Sequence, residues 1–373
     1  MNSRNKLKIL SESAKYDLCN YVTPSVESLK NSKISGIYHA TSSNGCPIPL
    51  FKVLMSNKCN NDCKYCVNHS KRIFSRVEYS PKELTNLFLD YYHNKLVDGL
   101  FLSSGVCRNI DSTMEKMIEV AHLLRVNHGY KGYIHLKILP GSSYDMIKRA
   151  MSLSNRVSIN IEAATSDGFQ ELTSTKDYNI DILRRMKWIK RISKKNPNFA
   201  PSGQTTQFIV GANNESDQEI LRRVQWLYKN FEMKRSYFSQ FQPLKETPLE
   251  DHPKPHPKRS PRLYQADSLI NYYGFELDEL LYHDNGNLDL DEDPKYIMAM
   301  NNLENFPIEI NSASFKELIR VPGIGKISAQ RIISKKRGGF VFKKLEDLKK
   351  VGVVIKRAER FVKFNGSYQK TLY

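Results

Sequence analysis

Three closely spaced cysteines are the residues of this 373-residue sequence best suited to chemistry. Cys59, Cys63 and Cys66 follow one another at x3 and x2 spacing, directly after an apolar run that predicts a strand. Three thiolates on one tight loop can hold three irons of a [4Fe–4S] cluster and leave the fourth iron open for a ligand. His69 leaves an alternative open, because it could complete a Cys3His zinc site.

The chain around these cysteines alternates between short β-rich runs and longer helical runs. Six candidate strands lie at 50–56, 99–104, 133–138, 156–161, 204–211 and 235–241. Five candidate helices lie at 81–93, 112–127, 144–153, 180–194 and 217–228. This alternation predicts βαβ units and a parallel sheet, in which ligands bind at the carboxyl ends of the strands. The strands are largely apolar, which is typical of a sheet covered on both faces.

The cysteine spacing, its position after the first strand and the alternation that follows resemble the radical S-adenosylmethionine (radical SAM) superfamily. The resemblance implies an α/β fold with a partial (β/α)6 TIM-like barrel. It also implies a [4Fe–4S] cluster held by Cys59, Cys63 and Cys66, with S-adenosyl-L-methionine bound at the open iron. An electron donor such as flavodoxin or ferredoxin would then reduce the cluster and allow a 5′-deoxyadenosyl radical to form.

The same resemblance implies a set of contacts to S-adenosylmethionine. Tyr65 matches an aromatic residue that touches the adenine. Ser103-Ser104-Gly105 stands where the family commonly has Gly-Gly-Glu around the methionine amino group, so backbone carbonyls and serine hydroxyls must replace the glutamate. Glu162 matches a residue that binds the ribose, with an exposed strand-end carboxylate as the alternative. Val210-Gly211 matches a segment whose backbone meets the adenine.

Three further residues are candidates for the reaction itself. His135 and Lys137 alternate in the third strand and therefore point to the same side, which we expect to face the substrate. Cys107 lies just beyond the second strand, where a thiol could donate a hydrogen atom to a product radical. A core histidine and a buried small apolar side chain are the respective alternatives for His135 and Cys107. Cys19 and Cys46 precede the barrel and are expected to be free thiols.

The last sixth of the chain carries two-thirds of its formal net charge of +18. Residues 312–373 contain 16 Lys and Arg against 4 Asp and Glu. Within them, Pro322-Gly323-Ile324-Gly325-Lys326 separates two amphipathic helical segments. Glycines permit close backbone approach, and the free N–H groups of the next helix start can bind phosphate. Lys326 and Arg331 add positive charge there.

This tail resembles the helix-hairpin-helix DNA-binding motif, which grips backbone phosphates without reading sequence. The resemblance implies an all-α carboxyl-terminal domain in which Pro322, Gly323, Ile324, Gly325, Lys326 and Arg331 contact nucleic acid. A weaker copy follows around Gly352, with Val354 in place of its second glycine, and we expect it to be a structural partner.

The order of these parts resembles a group of radical SAM proteins assigned to DNA modification or repair. That resemblance implies an enzyme that modifies a base or repairs a lesion in DNA. The same chemistry on RNA, such as transfer RNA, is one alternative. A non-enzymatic DNA-binding protein with a structural metal is the other.

Motifs and shifts in composition divide the chain into four predicted parts. They are an N-terminal extension (1–48), the barrel (49–242), a proline-rich loop with connecting helices (243–305) and the helix-hairpin-helix domain (306–365). The proline density of the third part excludes helix and central strand at its start. The sequence has no run of 18 apolar residues and no signal-peptide pattern, so we expect a cytoplasmic protein without a membrane partner.

Overall fold

The computed structural model describes residues 2–14, 35–41 and 47–366. Cys19 and Cys46 fall outside this described part of the chain. The chain forms two compact units. The first comprises Met1–Glu215 and Arg222–Ser260, and the second comprises Ser216–Leu221 and Pro261–Tyr373.

A seven-stranded sheet forms the first unit, with its strands in chain order. They are β1 (Ile37–Thr41), β2 (Pro47–Leu54), β3 (Gly99–Ser103), β4 (Tyr133–Lys137), β5 (Arg156–Ser158), β6 (Gln204–Val210) and β7 (Arg235–Gln240). β1 pairs antiparallel with β2, and the other pairs are parallel. The sheet curls into a half-barrel, which confirms the predicted α/β fold. The antiparallel β1 was not predicted from the sequence.

Helices connect the parallel strands, as the alternating pattern predicts. The α-helices up to residue 268, of which the first precedes the sheet and the last follows it, are α1 (Ser3–Ala14), α2 (Pro81–His93), α3 (Ile110–His122), α4 (Tyr144–Leu153), α5 (Ser166–Leu172), α6 (Arg184–Lys195), α7 (Asp217–Phe231) and α8 (Arg259–Ser268). Ser80 begins α2 with a capping box, in which its side chain accepts the Glu83 N–H and Glu83 bonds back to the Ser80 backbone. No described helix has the length and apolarity needed to cross a membrane.

The two faces of the curled sheet differ in polarity because alternate strand residues point to opposite sides. The outward set is largely apolar and includes the fully buried Val53, Leu102 and Ile134, although β6 also places buried polar side chains on this face. The inward set includes Lys52 and His135, which are buried in the barrel interior. The strands that were predicted to be apolar on both faces therefore carry buried charged and polar side chains on the inner face.

The second unit is mainly helical, as predicted. Its later elements are α9 (Pro294–Met300), β8 (Ile308–Glu309), α10 (Phe315–Leu318), α11 (Lys326–Arg337), α12 (Leu345–Lys349), α13 (Ile355–Ala358) and β9 (Val362–Lys363). β8 and β9 form a short parallel pair that the sequence did not reveal. Buried apolar side chains from all four hairpin helices, α10 to α13, share one core.

Candidate functional site

The three cysteines of the motif line one cavity of about 380 Å³ at the carboxyl ends of the parallel strands. Six other predicted site residues line the same cavity: Tyr65, Ser103, Ser104, Gly105, Lys137 and Glu162. Backbone N–H groups point at two of the sulfur atoms. The Val106 N–H lies 3.4 Å from Cys59 Sγ, and the Asn68 N–H lies 3.4 Å from Cys66 Sγ. Such hydrogen bonds tune the sulfur ligands of iron–sulfur clusters.

The cysteine loop fits a four-iron cluster. Cys59, Cys63 and Cys66 form no disulfide and face one cavity. Among the residues that the structure describes, no three Cys, His, Asp or Glu side chains converge on one ion-sized point. A cluster does not require such convergence, because each thiolate binds a different iron. His69, the alternative zinc ligand, accepts the Lys71 N–H at its Nδ1 atom.

Asp62, inside the cysteine motif, fixes a distant loop against the site. Its carboxylate accepts hydrogen bonds from the hydroxyls of Thr173 at 2.6 Å and Thr175 at 2.8 Å, and from the hydroxyl and N–H of Ser174. Burial opposes the charge of Asp62, but these hydrogen bonds hold its pKa well below the ordinary value. The loop that they fix carries Lys176 into the cavity.

Lys176 is a site residue that sequence reasoning missed. Its ammonium group lies near the Cys63 thiol and the Glu162 carboxylate. Burial favours the neutral amine, but the negative charges of Cys63 and Glu162 raise the pKa of Lys176 above its ordinary value. Tyr65 also lies near Glu162, and burial raises the pKa of Tyr65 well above its ordinary value. The cavity therefore offers a fixed cation and a fixed carboxylate to a zwitterionic ligand.

Glu162 is held in an uncommon backbone conformation at this site. Its φ of 65° lies in the left-handed region, which costs a non-glycine residue about 1–3 kcal/mol. The neighbouring strand β6 compensates, because the Glu162 N–H donates to the Gln207 carbonyl at 2.9 Å and the Glu162 carbonyl accepts the Ile209 N–H at 2.8 Å. Both contacts fix the direction of the carboxylate toward the cavity.

Gly105 locks the end of β3 against the cysteine loop. Its N–H donates to the Ser56 carbonyl at 2.7 Å, and the Ser104 hydroxyl donates to the Gly105 carbonyl at 2.7 Å. A Cβ atom at position 105 would lie 2.5 Å from the Lys58 carbonyl oxygen and 3.1 Å from the Cys59 Cβ. Only glycine permits this approach, so the Ser103–Gly105 segment lies directly beside the first cysteine.

Four other predicted site residues do not line this cavity among the described residues: Cys107, His135, Val210 and Gly211. The His135 ring stacks on Phe101 with centroids 4.1 Å apart, and its Nε2 atom lies 2.8 Å from the Ser158 hydroxyl. A Cβ atom on Gly211 would lie 2.6 Å from Pro255. The roles assigned to these four residues stay predictions.

Arg76 is a second site residue that the sequence did not reveal. Its guanidinium group donates to four backbone carbonyls around the cysteine loop. The acceptors are the carbonyls of Asn57 at 2.7 Å, Asn68 at 3.0 Å, His69 at 2.6 Å and Arg72 at 3.0 Å. One side chain thus ties the segment before Cys59 to the segment after Cys66.

Replacement of Arg76 by leucine is expected to lower iron incorporation severalfold. The change leaves four carbonyls without their donor, at a cost of about 1–3 kcal/mol for each buried one, so the loop loses its fixed shape. Iron per chain after anaerobic reconstitution measures the effect. Arg76→Lys should give an intermediate iron content, because one ammonium group replaces only part of the guanidinium's hydrogen bonds. Lys71→Leu, at an exposed position, serves as the control. Native iron content in Arg76→Leu would contradict this role.

The predicted hairpin joins α10 to α11 in the second unit. Gly323 has a φ of 82°, and its carbonyl accepts the Val354 N–H at 3.0 Å. Helix α11 begins at Lys326 after Gly325, without any side-chain hydrogen bond to its first N–H groups. Lys326 is exposed beside this start. The first turn of a helix of 12 residues is thus open to an anion.

The second hairpin packs reciprocally on the first. Gly352 has a φ of 88°, and its carbonyl accepts the Ser328 hydroxyl at 2.8 Å. Arg331, predicted to contact nucleic acid, lies with its Nη1 atom 3.5 Å from the Val351 carbonyl. This geometry places Arg331 at the contact between the two hairpins.

Residues outside the hairpins also support them within the second unit. The buried Lys295 donates to the Ile324 carbonyl at 2.7 Å, and burial lowers the pKa of Lys295 to about 7. Two acidic residues of the preceding segment form ion pairs with hairpin cations, Glu279 with Arg320 and Asp293 with Arg357. Part of the positive charge of the tail is therefore neutralised within the protein.

Comparison with family models matches residues 53–227 to the radical SAM superfamily and residues 305–359 to the helix-hairpin-helix motif. A search of curated proteins found no match.

Several solved structures are similar to this chain. HydG, a maturase of the [FeFe]-hydrogenase, shares 11% identity at a TM-score of 0.48, over 59% of this chain and 49% of HydG. Methylornithine synthase (PylB) shares 13% identity at a TM-score of 0.47, over 58% of this chain and 61% of PylB. SuiB of Streptococcus suis shares 12% identity at a TM-score of 0.44, over 71% of this chain and 54% of SuiB. The chain thus spans about half to three-fifths of the length of these proteins.

Proposed function

We propose that this protein is a radical SAM enzyme that acts on DNA by modifying a base or repairing a lesion, and that its carboxyl-terminal helix-hairpin-helix motif binds the DNA. The open start of α11 is the observation that supports DNA as the substrate. Its first N–H groups have no side-chain cap, Lys326 is exposed beside them, and residues 312–373 carry a net charge of +12. Such a site binds phosphate backbones through charge and N–H groups without reading the bases.

The cavity of the first unit has the residues needed for the family's cofactors. Cys59, Cys63 and Cys66 would hold a [4Fe–4S] cluster. Lys176 would pair with the carboxylate of S-adenosylmethionine, and Glu162 would bind its ribose hydroxyls. When bound, these cofactors supply a 5′-deoxyadenosyl radical that abstracts hydrogen atoms.

The chain's own residues prepare this cavity for such chemistry. Lys176 and Glu162 are fixed by Asp62 and by β6 before any ligand arrives, so little ordering is needed on binding. Apolar side chains exclude water from the walls, which protects a reactive intermediate from side reactions. These side chains are Leu54, Val106, Ile138, Leu139, Ile209 and Phe241.

A base stacked in a duplex cannot enter a cavity of this kind. An enzyme that does chemistry on a base takes the nucleotide out of the stack or acts on a single strand. We therefore propose that the substrate is single-stranded DNA or a nucleotide flipped out of a duplex. The helix-hairpin-helix motif would supply affinity for the polymer, and the cavity would supply the reaction.

The proposal is tested with the full chain, reconstituted anaerobically and mixed with deuterated oligonucleotides, S-adenosylmethionine and dithionite. We expect deuterium in the 5′-deoxyadenosine product, because the radical takes its hydrogen atom from the nucleotide. We also expect DNA affinity to fall steeply between low and moderate salt, since phosphate contacts release counterions. Single-stranded DNA, duplex DNA and RNA are compared at equal length.

Three outcomes would overturn the proposal. Label transferred only from RNA would assign the enzyme to RNA. Absence of salt-dependent DNA binding would remove the basis for a DNA substrate. Zinc in place of iron after anaerobic purification, without release of 5′-deoxyadenosine, would indicate a non-enzymatic protein with a structural metal.

A further inference from the structure

Helix α6 of the first unit is strongly basic. Its 12 residues contain seven Lys or Arg and no Asp or Glu. At about 100° of rotation per residue, four of these cations fall within an arc of about 80°. They form the α6 stripe, and all are exposed: Arg184, Lys187, Arg191 and Lys195. At a rise of about 1.5 Å per residue, the stripe runs about 16 Å along the surface.

The cations of the α6 stripe are not neutralised within the protein. Among the residues that the structure describes, none of the four side chains forms an ion pair or a hydrogen bond. The other cations of the helix do, since Lys190 and Lys194 lie 3.8 and 3.1 Å from Glu232. Successive members of the stripe are three or four residues apart, and like charges at this spacing destabilise a helix. A stripe that keeps this repulsion points to an anionic partner.

The neighbouring helix α7 continues the basic surface, and its residues from Arg222 onward belong to the same unit. Arg222 and Lys229 are exposed seven residues apart on one face, and neither forms an ion pair or a hydrogen bond with a described residue. Trp226 lies between them on that face. One turn beyond it, the Asn230 carbonyl accepts a hydrogen bond from Lys190 of α6 at 2.7 Å. The two helices therefore lie side by side near Trp226.

Trp226 is held at the surface among these cations. Its ring centroid lies 4.9 Å from that of Phe231, and the Arg223 guanidinium lies 4.7 Å from the ring. The residue is nevertheless 37% exposed. A cationic surface that follows phosphates beside an aromatic ring that stacks on a base is typical of single-strand binding proteins. A base paired within a duplex has no free face for such a ring, so the surface favours a single strand.

We propose that α6 and α7 of the first unit bind a single-stranded nucleic acid, with its phosphates along the α6 stripe and one unpaired base on Trp226. Arg222 and Lys229 would contact the phosphates on either side of that base. This inference rests on the proposed nucleic-acid substrate. It adds a contact on the barrel unit itself, separate from the hairpins of the second unit.

The chemistry of this surface favours a polynucleotide over an acidic protein. A nucleic-acid strand carries one negative charge and one flat ring in every residue, so a single ligand satisfies both the line of cations and the exposed indole. An acidic polypeptide supplies the charge, but its charged residues carry no ring. The two ligands are therefore distinguished by whether Trp226 contributes to binding.

The test compares two triple variants of the full chain that lose the same charge. The stripe variant carries Lys187→Gln, Arg191→Gln and Lys195→Gln. The control variant carries Lys8→Gln, Lys82→Gln and Lys131→Gln, at exposed positions on α1, on α2 and before β4. Fluorescence anisotropy with a labelled oligothymidylate, repeated over a series of salt concentrations, measures affinity. Glutamine is a good helix former, and thermal unfolding reports any structural cost.

We expect the plot of log affinity against log salt to become shallower by about 2 in the stripe variant, because each phosphate contact with a single strand contributes about 0.7 to its slope. The control variant should keep the native slope. Trp226→Ala should weaken binding about tenfold without changing the slope, since stacking releases no counterions. Trp226→Phe should restore most of the affinity, which a purely structural role of the indole in packing would not predict for binding alone.

Equal slopes in the stripe and control variants would overturn the inference. Native affinity in Trp226→Ala would also overturn it, and so would competition by polyglutamate as strong as that by unlabelled oligothymidylate of equal charge. If the native chain binds oligonucleotides and the stripe variant binds them equally well, only this inference fails. If the native chain shows no salt-dependent binding at all, the proposed function fails as well. Loss of slope in the stripe variant, together with native binding in Gly325→Ala, would uphold the inference and overturn the contact assigned to the first hairpin.

Discussion

Alanine at Cys59, Cys63 or Cys66 is expected to abolish release of 5′-deoxyadenosine while affinity for DNA stays at the native level. Each thiolate is assigned a different iron, so loss of one leaves the cluster without a complete set of ligands. The hairpins belong to the other compact unit and do not depend on the cysteine loop for their core. Chromatography of the reaction with dithionite measures the first quantity, and fluorescence anisotropy with a labelled oligonucleotide measures the second.

The matched control for these variants is Ser70→Ala. Ser70 is exposed and lies in the same loop, four residues after Cys66. Its replacement should leave iron content and product release at the native level. A cysteine variant that still releases 5′-deoxyadenosine at the native rate would remove that cysteine from the ligand set. Parallel loss of DNA binding would indicate that the two units depend on each other.

Alanine at Gly323 is expected to destabilise the second unit by roughly 3 kcal/mol or more and to remove most of its affinity for DNA. Position 323 has a φ of 82°, and its added Cβ would lie 2.5 Å from the Val354 carbonyl oxygen. The turn would have to move away from the second hairpin, and the start of α11 would move with it. Denaturant unfolding measures the stability, and anisotropy titrations measure the affinity.

Two other glycines distinguish the effect of backbone conformation from the effects of close packing and of DNA contact. Gly339 has a φ of 81° with no atom within 4 Å of an added Cβ, so Gly339→Ala should cost only the backbone term of about 1–2 kcal/mol and leave DNA binding intact. Gly325 has a φ of −89° and meets only the Tyr273 hydroxyl, at 3.4 Å. Gly325→Ala should keep the fold and weaken DNA binding. If Gly323→Ala and Gly339→Ala lower the free energy of unfolding equally, the close packing of the two hairpins at Gly323 would contribute nothing to stability.

Much of the fold follows from local sequence signals. The parallel strands and their helices were predictable because βαβ units repeat a short apolar run, a turn and an amphipathic helix. The outer and inner faces of the strands were harder to separate. Lys52 stands within an apolar run, whereas Arg156 and Arg235 follow polar residues at the starts of β5 and β7, and only strand register shows that these side chains share the inner face. Helix α5 was missed because Gly168 interrupts its short pattern.

The site was predictable where its residues lie in a local motif or, like Lys137 and Glu162, at the end of a predicted strand. The cysteines, Tyr65 and the Ser103–Gly105 segment each lie in a motif that adjoins a strand. Lys176 stands 113 residues after Cys63 and reaches it through hydrogen bonds between Asp62 and the preceding loop. Nothing in the local sequence of Lys176 indicates that partner. A tertiary contact between residues so distant in sequence leaves no local sequence pattern, and it becomes visible only in the folded chain.

The paired hairpins are unequal in the helix starts that they present. The first opens into a helix of 12 residues, whereas the second opens into α13 of four residues, with its Val354 N–H already bonded to Gly323. The first hairpin is therefore the candidate phosphate contact, and the second packs against it. If the hairpins bind nucleic acid, we expect one open helix start to contact the phosphates of one strand, so that affinity does not depend on the complementary strand.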